Sequence, residues 1–246
     1  MKQDTLSTIS NSRACLYGDG LFETIAFQDG KLQHWQDHWQ RLKDGLDRLH
    51  YPNISEQDVL VQLTERLHTI DNQIVRLSIS RTGQRGYRIP NDAHLLIDIQ
   101  LSPFPTQRWD GKKFTVRWCK TRWARQPLLA GIKHLNRLEQ ILARSEWEDP
   151  IIQEGLVCDT EGYVISGTMS GVAWREDNCI FAPDLSQTGI ASTSRKRFLA
   201  NLSSQGYPIH IGYFTPKKLL LADTVWMMNA VQGVAEVERV INVIEH

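Results

Sequence analysis

The stretch Leu129–Gln140 reads LAGIKHLNRLEQ and sets one lysine, Lys133, among apolar neighbours. The apolar residues that follow recur at helical spacing: Leu135, Leu138, Ile141 and Leu142. We therefore predict an amphipathic helix that begins immediately after the lysine. An amine at the end of an apolar strand or loop is partly desolvated, which makes it nucleophilic. On this pattern alone, Lys133 is either a reactive lysine or a solvated surface lysine.

The composition is that of an ordinary globular protein. Of the 246 residues, 41% are hydrophobic and 23% are charged, which excludes a disordered or collagen-like chain. Basic and acidic residues balance at 28 each, so the net charge favours neither a nucleic-acid partner nor an anionic membrane. The four cysteines form no CxxC pair, so we expect free buried thiols and neither a disulfide framework nor a metal site.

The sequence carries no pattern typical of export or of membrane insertion. Residues 1–13 are polar and lack the apolar region of a signal peptide. No apolar run approaches the roughly 20 residues that a membrane helix needs. We therefore expect a cytoplasmic protein.

Apolar periodicity predicts a mixture of helices and strands. Helices are expected at 35–49 and 194–204, and a third is expected to begin after an N-cap at Ser55. Strands are expected at 75–79, 94–101, 114–118, 155–158, 163–166, 172–174, 179–181 and 224–229. The segment 102–113 is rich in proline and turn residues, which favours a domain boundary. We therefore expect an α/β domain over residues 1–105, a second over 106–246, and a cleft between them.

Three further segments contain residue types that bind ligands. Gly189–Arg195 (GIASTSR) opens a helix, where backbone N–H groups and hydroxyls bind phosphate, although an ordinary N-cap has the same composition. Tyr17–Thr24 (YGDGLFET) contains a turn signal. Arg81–Tyr87 (RTGQRGY) is a glycine-rich basic loop that either holds a carboxylate or is simply exposed.

Taken in order, these segments resemble the fold-type IV, branched-chain-aminotransferase-like family of pyridoxal-phosphate enzymes. The resemblance runs from about residue 11 to about residue 237. Its further motifs are HWQRL at 38–42, EGYVISGTMS at 161–170 and Asn229-Ala230. Within the family, the sequence IKHLNRLEQ is closer to the lyase branch than to the transaminases.

The resemblance implies a fold, a cofactor and an assembly. The fold is of the α/β class, in two domains: a small N-terminal α/β sandwich domain and a larger, barrel-like C-terminal α/β domain, with pyridoxal 5'-phosphate in the cleft. The family is typically dimeric, so a homodimer is expected.

The resemblance also implies roles for individual residues. Lys133 would hold the cofactor covalently and act as the catalytic base. The cofactor phosphate would be bound by Arg41, Thr193 and Ser194, with Asn229 nearby. Thr24 and Arg85 would face the substrate, because an arginine fork binds both oxygens of a carboxylate in one plane.

The sequence departs from the family at Ser166, where a glutamate usually pairs with the protonated pyridine nitrogen of the cofactor. Without that carboxylate the ring is a weaker electron sink. Two smaller departures are Gly171, where asparagine is common, and the end of the sequence at His246, where the family typically continues through a further helix.

The reaction that the resemblance implies is elimination of pyruvate from 4-amino-4-deoxychorismate, which gives 4-aminobenzoate for folate biosynthesis. This reaction forms an aromatic ring, and aromatisation supplies a driving force that transamination lacks. The loss of the glutamate therefore counts more against a transaminase than against a lyase. A D-amino-acid or branched-chain transaminase and a non-catalytic homologue stay open as alternatives.

Overall fold

The computed structural model describes residues 12–67, 72–83, 85–91 and 93–241. Residues 1–11, most of the stretch searched for a signal peptide, lie outside the described residues. The chain divides into two compact units, of which the first comprises residues 1–104 and 132–136. The second comprises residues 105–131 and 137–246. The first unit thus consists of the N-terminal residues up to Phe104 together with the short later segment 132–136.

The first unit is a four-stranded antiparallel sheet, in the order β2-β1-β3-β4, with three helices in its described residues. Its elements are α1 (Arg13–Tyr17), β1 (Gly20–Gln28), β2 (Lys31–Leu32), α2 (Trp35–Arg48), α3 (Glu56–Arg66), β3 (Gln73–Arg81) and β4 (Leu95–Pro103). The predicted helices and strands of this region are confirmed to within a few residues.

Helix α2 and one face of the sheet bury the apolar residues that the periodicity marked. Trp39, Leu42 and Leu46 of α2 are buried, and so are Leu77 and its alternate neighbours on β3. Alternation along a strand puts every second side chain on the same face, so one face of β3 is buried from Val75 onward and the other is mostly half-buried. Gly45 lies against Leu21 of β1, where a Cβ would come within 2.8 Å of that side chain. The contact lets α2 lie close to the sheet.

The segment 132–136 forms no part of a helix. Its backbone pairs with the edge of β1, where the Phe22 N–H donates to Lys133 O at 2.9 Å and the Leu135 N–H donates to Gly20 O at 2.9 Å. Helix α4 begins only at Leu138 and ends at Arg144. The prediction of a helix starting just after Lys133 is therefore wrong, because these backbone groups bond to β1 instead.

The second unit is built on an eight-stranded mixed sheet in the order β10-β9-β8-β11-β12-β5-β6-β7. Its elements are β5 (Lys113–Trp123), α4, β6 (Ile152–Asp159), β7 (Val164–Gly167), β8 (Gly171–Glu176), β9 (Cys179–Pro183), α5 (Thr193–Ser204), β10 (Ile209–Gly212), α6 (Pro216–Leu220), β11 (Thr224–Asn229) and β12 (Gly233–Ile241). Three of the pairings, β9–β10, β5–β12 and β5–β6, are parallel. A core cluster around Trp174, Leu156 and Met227 packs on this sheet.

Strand β12 lies in the middle of the sheet although the sequence did not predict it. It pairs antiparallel with β11 and parallel with β5. Three charged residues, Glu236, Glu238 and Arg239, interrupt its apolar pattern, and Ala235 is its fully buried residue. Gly233 starts the strand with φ of +86°, a backbone conformation that glycine adopts without a steric penalty.

The four cysteines are free thiols, as expected, but they are not all buried. Cys119 and Cys158 are buried, and burial raises the pKa of Cys119 to about 12 and that of Cys158 to about 11. Cys15 is exposed and Cys179 half-buried, so the expectation of buried thiols is wrong for these two. Among the described residues, no helix is both long enough and apolar enough to span a bilayer.

Truncation of Leu77 is expected to destabilise the first unit because its side chain is completely buried on β3. Leu77→Ala should lower the free energy of unfolding by about 2–5 kcal/mol, the usual cost of deleting a buried leucine. The measurement is urea denaturation followed by tryptophan fluorescence. Leu101→Ala on neighbouring β4 is the matched control, since Leu101 is 38% exposed. Equal losses for the two variants would contradict the assignment of Leu77 to the core.

Candidate functional site

Lys133 is held against β1 by its backbone and its side chain. Its carbonyl accepts from the Phe22 N–H, and its Nζ lies 4.7 Å from the centroid of the Phe22 ring. The guanidinium carbon of Arg76 lies 4.0 Å from the same centroid. Two cations therefore share one buried aromatic ring, which attracts each of them through its quadrupole. The arrangement fixes the direction of the amine and concentrates positive charge around it.

Arg41 is buried on α2 and forms an ion pair with a carboxylate that the sequence argument overlooked. Its Nε donates to Glu23 Oε1 at 2.8 Å, and its Nη2 donates to Glu23 Oε2 at 2.5 Å. His38, one helical turn earlier, bonds through Nδ1 to Glu23 Oε2 at 2.7 Å. The relative exposures of Glu23, His38 and Arg41 are 1%, 1% and 9%. We call these three residues the Glu23 cluster.

Burial and charge act in opposite directions within the Glu23 cluster. Burial alone would raise the pKa of Glu23, but Arg41 and His38 outweigh it and lower the pKa to about 2. Burial lowers the pKa of His38, against the pull of the Glu23 carboxylate. Glu23 is therefore ionised and His38 neutral near pH 7, so Nδ1 of His38 carries the proton that is donated to the carboxylate.

Thr24 and Arg85 lie in different surroundings within the first unit. Thr24 is half-buried on β1, two residues beyond Phe22, so alternation puts both side chains on the same face of the strand. Phe22 contacts the Lys133 amine, and Thr24 therefore belongs to the face that Lys133 occupies. Arg85 is exposed on the loop between β3 and β4.

The loop that carries Arg85 is fixed at the following residue, Gly86, by two side chains of α1. Arg13 donates through Nη1 to Gly86 O at 2.9 Å, and the Gly86 N–H donates to Tyr17 Oη at 2.7 Å. Arg13 also pairs with Asp19 at 2.8 Å, and Asp19 is shared with Arg81 of β3. The sequence marked this loop as basic and glycine-rich but did not identify the residues that anchor it.

In the second unit, Thr193 and Ser194 form the first turn of α5. Thr193 is buried, and the preceding Ser192 accepts through Oγ from the Arg195 N–H. Ser192 and Ser194 share a further hydrogen bond of 2.9 Å. The opening amides of a helix lack partners within it and carry the positive end of its dipole. Together with the hydroxyls, they form a donor set suited to an anion such as a phosphate group.

The loop before α5 is tied to the chain just ahead of Lys133. The Gly131 N–H donates to Gly189 O, and the Ala191 N–H donates to Gly131 O, both at 2.9 Å. Gly131 has φ of +83°, which a side chain would strain. These bonds fix Gly131, two residues before Lys133, within the second unit.

Ser166 is buried on β7, and its Oγ donates to Gly167 O at 2.7 Å. The turn from β7 to β8 closes around Glu154, a completely buried carboxylate that the sequence argument also overlooked. Glu154 accepts from the amides of Gly155, Thr168 and Met169 and from the hydroxyls of Thr168 and Ser170. The carboxylate holds this turn through neutral donors alone.

Gly171 and Asn229 both have local structural roles. A Cβ at Gly171 would lie 3.1 Å from Arg195 Cβ and 3.2 Å from Ser192 Cβ, so the packing there leaves little room for asparagine. Asn229 Oδ1 accepts from the N–H groups of Val231 and Gln232 and so closes the turn between β11 and β12. Its side-chain amide nitrogen is a further donor at that turn.

The structure thus groups the candidate residues unit by unit. In the first unit, the edge and the two faces of β1 bring together Lys133, Thr24 and the Glu23 cluster, which includes Arg41. Arg85 lies on its anchored loop. In the second unit, Thr193 and Ser194 lie at the start of α5, whereas Ser166 and Asn229 lie at the ends of β7 and β11.

The chain belongs to the Amino-transferase class IV family, whose pattern matches residues 20–240. It is 35% identical over 228 residues to a curated aminodeoxychorismate lyase of Vibrio harveyi, covering 92% of this chain and 84% of the relative. A solved 4-amino-4-deoxychorismate lyase of Pseudomonas aeruginosa superposes with a TM-score of 0.87 at 35% identity, covering 94% of this chain and 87% of that one.

A branched-chain amino acid aminotransferase of Escherichia coli also matches, with a TM-score of 0.80 at 22% identity, covering 93% of this chain and 79% of that one. At this identity the likeness concerns the fold alone. The expected fold-type IV α/β class is confirmed by these matches.

Acid is expected to weaken the first unit through Glu23. Its folded pKa of about 2 lies below the ordinary 4.5, so its contribution is complete above pH 4.5 and is lost as the pH falls toward 2. A depression of this size corresponds to about 3 kcal/mol. Glu23→Gln should therefore destabilise the protein at pH 6, and the difference from wild type should shrink between pH 4.5 and pH 2.5. Urea denaturation at each pH measures it. Exposed Glu65→Gln is the control, and a difference that does not change with pH would contradict the assignment.

Proposed function

We propose that this chain is a cytoplasmic, pyridoxal-phosphate-dependent 4-amino-4-deoxychorismate lyase that forms pyruvate and 4-aminobenzoate. The observation that carries the proposal is the Lys133 amine, held over the Phe22 ring by a segment paired with β1. A rigidly placed lysine amine is the group that a carbonyl cofactor requires. The likeness to lyases of Vibrio harveyi and Pseudomonas aeruginosa, each at 35% identity, supports the same conclusion.

The donor set of the described residues fits the cofactor. Lys133 would bind its carbonyl carbon covalently. We propose that the first turn of α5, with Thr193 and Ser194, would donate to its dianionic phosphate, and that the guanidinium of Arg41 would do so as well. Ser166 and Asn229 complete the set of cofactor residues that we propose. When bound, the cofactor supplies an electron sink for the pair left on the amine-bearing carbon.

Lys133 carries the proton transfer. With substrate in the site, the Lys133 amine would act as the general base that removes the proton from the amine-bearing carbon of the substrate. The enolpyruvyl oxygen then leaves with the electrons of its C–O bond, and the six-membered ring becomes aromatic. Protonation of the methylene carbon of the released enolate then gives pyruvate. Two residues are the proposed substrate contacts. Thr24, on the same face of β1 as Lys133, would contact the ring of the substrate, and Arg85 would bind the carboxylate on that ring.

Ser166 favours this elimination over transamination. Ser166 carries no charge, and its hydroxyl proton is donated to Gly167 O. A cofactor ring nitrogen beside it would therefore be protonated less readily than one beside a carboxylate, and the electron sink would be weaker. Elimination tolerates this because aromatisation drives it. A transaminase needs the stronger sink in both half-reactions. Alanine transamination should therefore be slower than 4-aminobenzoate release, and both rates are measured.

Lys133→Ala is expected to abolish lyase activity and covalent cofactor attachment. The substrate is generated from chorismate and glutamine by a coupled synthase, and 4-aminobenzoate is measured by its fluorescence after chromatography. Borohydride reduction of the wild-type protein with pyridoxal 5'-phosphate should label the peptide that contains Lys133. Lys120→Ala, which changes an exposed lysine on β5, is the control and should keep both properties. A label on any other peptide, or alanine transamination faster than 4-aminobenzoate release, would refute the proposal.

The protein is proposed to act as a homodimer. Leu138, Ile141 and Leu142 lie on one side of α4 and are 73%, 61% and 59% exposed, which is unusual for three adjacent large apolar side chains. A second copy that covers them would remove this apolar surface from water.

The charged variant Ile141→Glu tests the dimer, since a buried carboxylate at an interface is costly. Light scattering after size exclusion should give a dimer for wild type and a monomer for the variant at micromolar concentration. Val61→Glu, at an exposed apolar position on α3, should remain dimeric. A monomeric wild type would contradict the proposal.

A further inference from the structure

Both carboxylate oxygens of Glu23 accept hydrogen bonds, and two of these bonds come from Arg41. Oε1 accepts from Arg41 Nε at 2.8 Å, and Oε2 accepts from Arg41 Nη2 at 2.5 Å. This is the planar, two-bond pairing that an arginine fork makes with a carboxylate. Rotation of the guanidinium about its long axis would break both bonds. Glu23 therefore determines the plane in which the guanidinium lies.

His38 fixes Glu23 in turn. His38 and Arg41 are three residues apart on α2, so they project from the same side of the helix. His38 Nδ1 bonds to the oxygen that Arg41 Nη2 also contacts, at 2.7 Å. The carboxylate is thus held from the helix by two side chains, and from β1 by its own backbone. With relative exposures of 9% or less, none of the three side chains has room to swing into water.

The Glu23 cluster carries little net charge. Glu23 contributes one negative charge and Arg41 one positive charge, while His38 is neutral near pH 7. Glu23 accepts hydrogen bonds from two nitrogens of the Arg41 guanidinium. Arg41 therefore reaches any phosphate as a set of directed N–H donors more than as a source of uncompensated positive charge.

We propose that Glu23 is a positioning residue, which holds Arg41 in the orientation that binds the cofactor phosphate, and that His38 keeps Glu23 in place. The proposal rests on the phosphate-binding role of Arg41 in the proposed function. It makes Glu23 necessary for phosphate recognition although a negative charge repels phosphate. The competing effect is charge compensation alone, under which removing the Glu23 charge would strengthen phosphate binding. The two effects have opposite signs.

The test compares two ligands that differ only in the phosphate. Apo-protein is titrated with pyridoxal 5'-phosphate and with pyridoxal, and the ratio of the two affinities measures phosphate recognition without any turnover. Glu23→Gln keeps the size of the side chain but loses the second acceptor oxygen that Arg41 needs. We expect the ratio to fall about tenfold, the value of one charge-assisted hydrogen bond. Glu56→Gln, which changes a glutamate bound to Trp35 and Gln36, is the matched control and should leave the ratio unchanged.

His38→Gln tests the second half of the proposal. Its amide can still donate to Glu23, so the ratio should fall less than in Glu23→Gln. His38→Leu removes the donor and should lower the ratio further. Equal ratios in both His38 variants and wild type would overturn the role of His38.

Arg41→Gln separates this proposal from the proposed function. If Arg41→Gln leaves the ratio at the wild-type value, Arg41 does not bind phosphate and that part of the proposed function fails. If Arg41→Gln lowers the ratio but Glu23→Gln raises it or leaves it unchanged, only the positioning role is overturned. A fall in both variants supports it.

The double variant Glu23→Gln/Arg41→Gln guards against loss of folding, because removing both partners avoids an unpaired buried charge. Its ratio should equal that of Arg41→Gln alone, since Glu23 acts through Arg41. A further fall in the double variant would show that Glu23 acts by another route and would overturn the proposal. Thermal unfolding of each apo-protein confirms that the titrations report on folded chains.

Discussion

Two backbone hydrogen bonds between the Lys133 segment and β1 determine where the Lys133 amine lies in the first unit. Strand β2 covers only the far end of β1, at Phe27 and Gln28, so the edge near Gly20 is available for another segment. An uncovered strand edge presents backbone groups that need partners. Residues 133 and 135 supply them and thereby place the Lys133 amine over Phe22. Within the second unit, Gly131, the residue just before this segment, is hydrogen-bonded to Gly189 and Ala191.

Each unit buries a glutamate, and the two carboxylates are stabilised in different ways. Glu154 is surrounded by backbone amides and hydroxyls, which distribute its charge over several neutral donors. Glu23 is paired with a guanidinium and a neutral imidazole. A buried charge without such partners would be prohibitively costly, so each carboxylate orders the groups around it. The neutral donors to Glu154 shape a turn, whereas one of the donors to Glu23, Arg41, is itself a candidate for binding phosphate.

Sequence patterns predicted the elements whose periodicity was unbroken. Helix α2 and strand β3 are cases in which core-facing residues recur at the period of the element. Strand β12 escaped because three charged residues interrupt its apolar pattern, although it lies between two other strands. The segment after Lys133 was misread because leucines at helical spacing also occur in an irregular strand-edge segment. Its leucine and isoleucine residues on α4 are exposed, so their spacing did not indicate a face buried within the chain.

The candidate site was predictable where a residue acts through its own chemistry and unpredictable where it acts through a partner. Lys133 and the start of α5 are candidates because their residue types and neighbours allow such a role, and the family resemblance singles them out. Glu23 and His38 lie inside quoted motifs, yet their pairing across β1 and α2 is a tertiary contact that no local spacing encodes.

Ser166 shows that a residue considered without its tertiary contacts can also suggest a defect that the structure does not have. Read alone, the missing glutamate suggests a degraded site, in which buried polar groups would lose their partners. In the structure, Ser166, Thr168 and Ser170 are all buried and all hydrogen-bonded. Because Gly171 has no side chain, Ser192, whose hydroxyl caps α5, can pack against it. The turn is therefore a complete, satisfied structure built around small residues, which argues against decay and for a chemistry that does not depend on a carboxylate at this position.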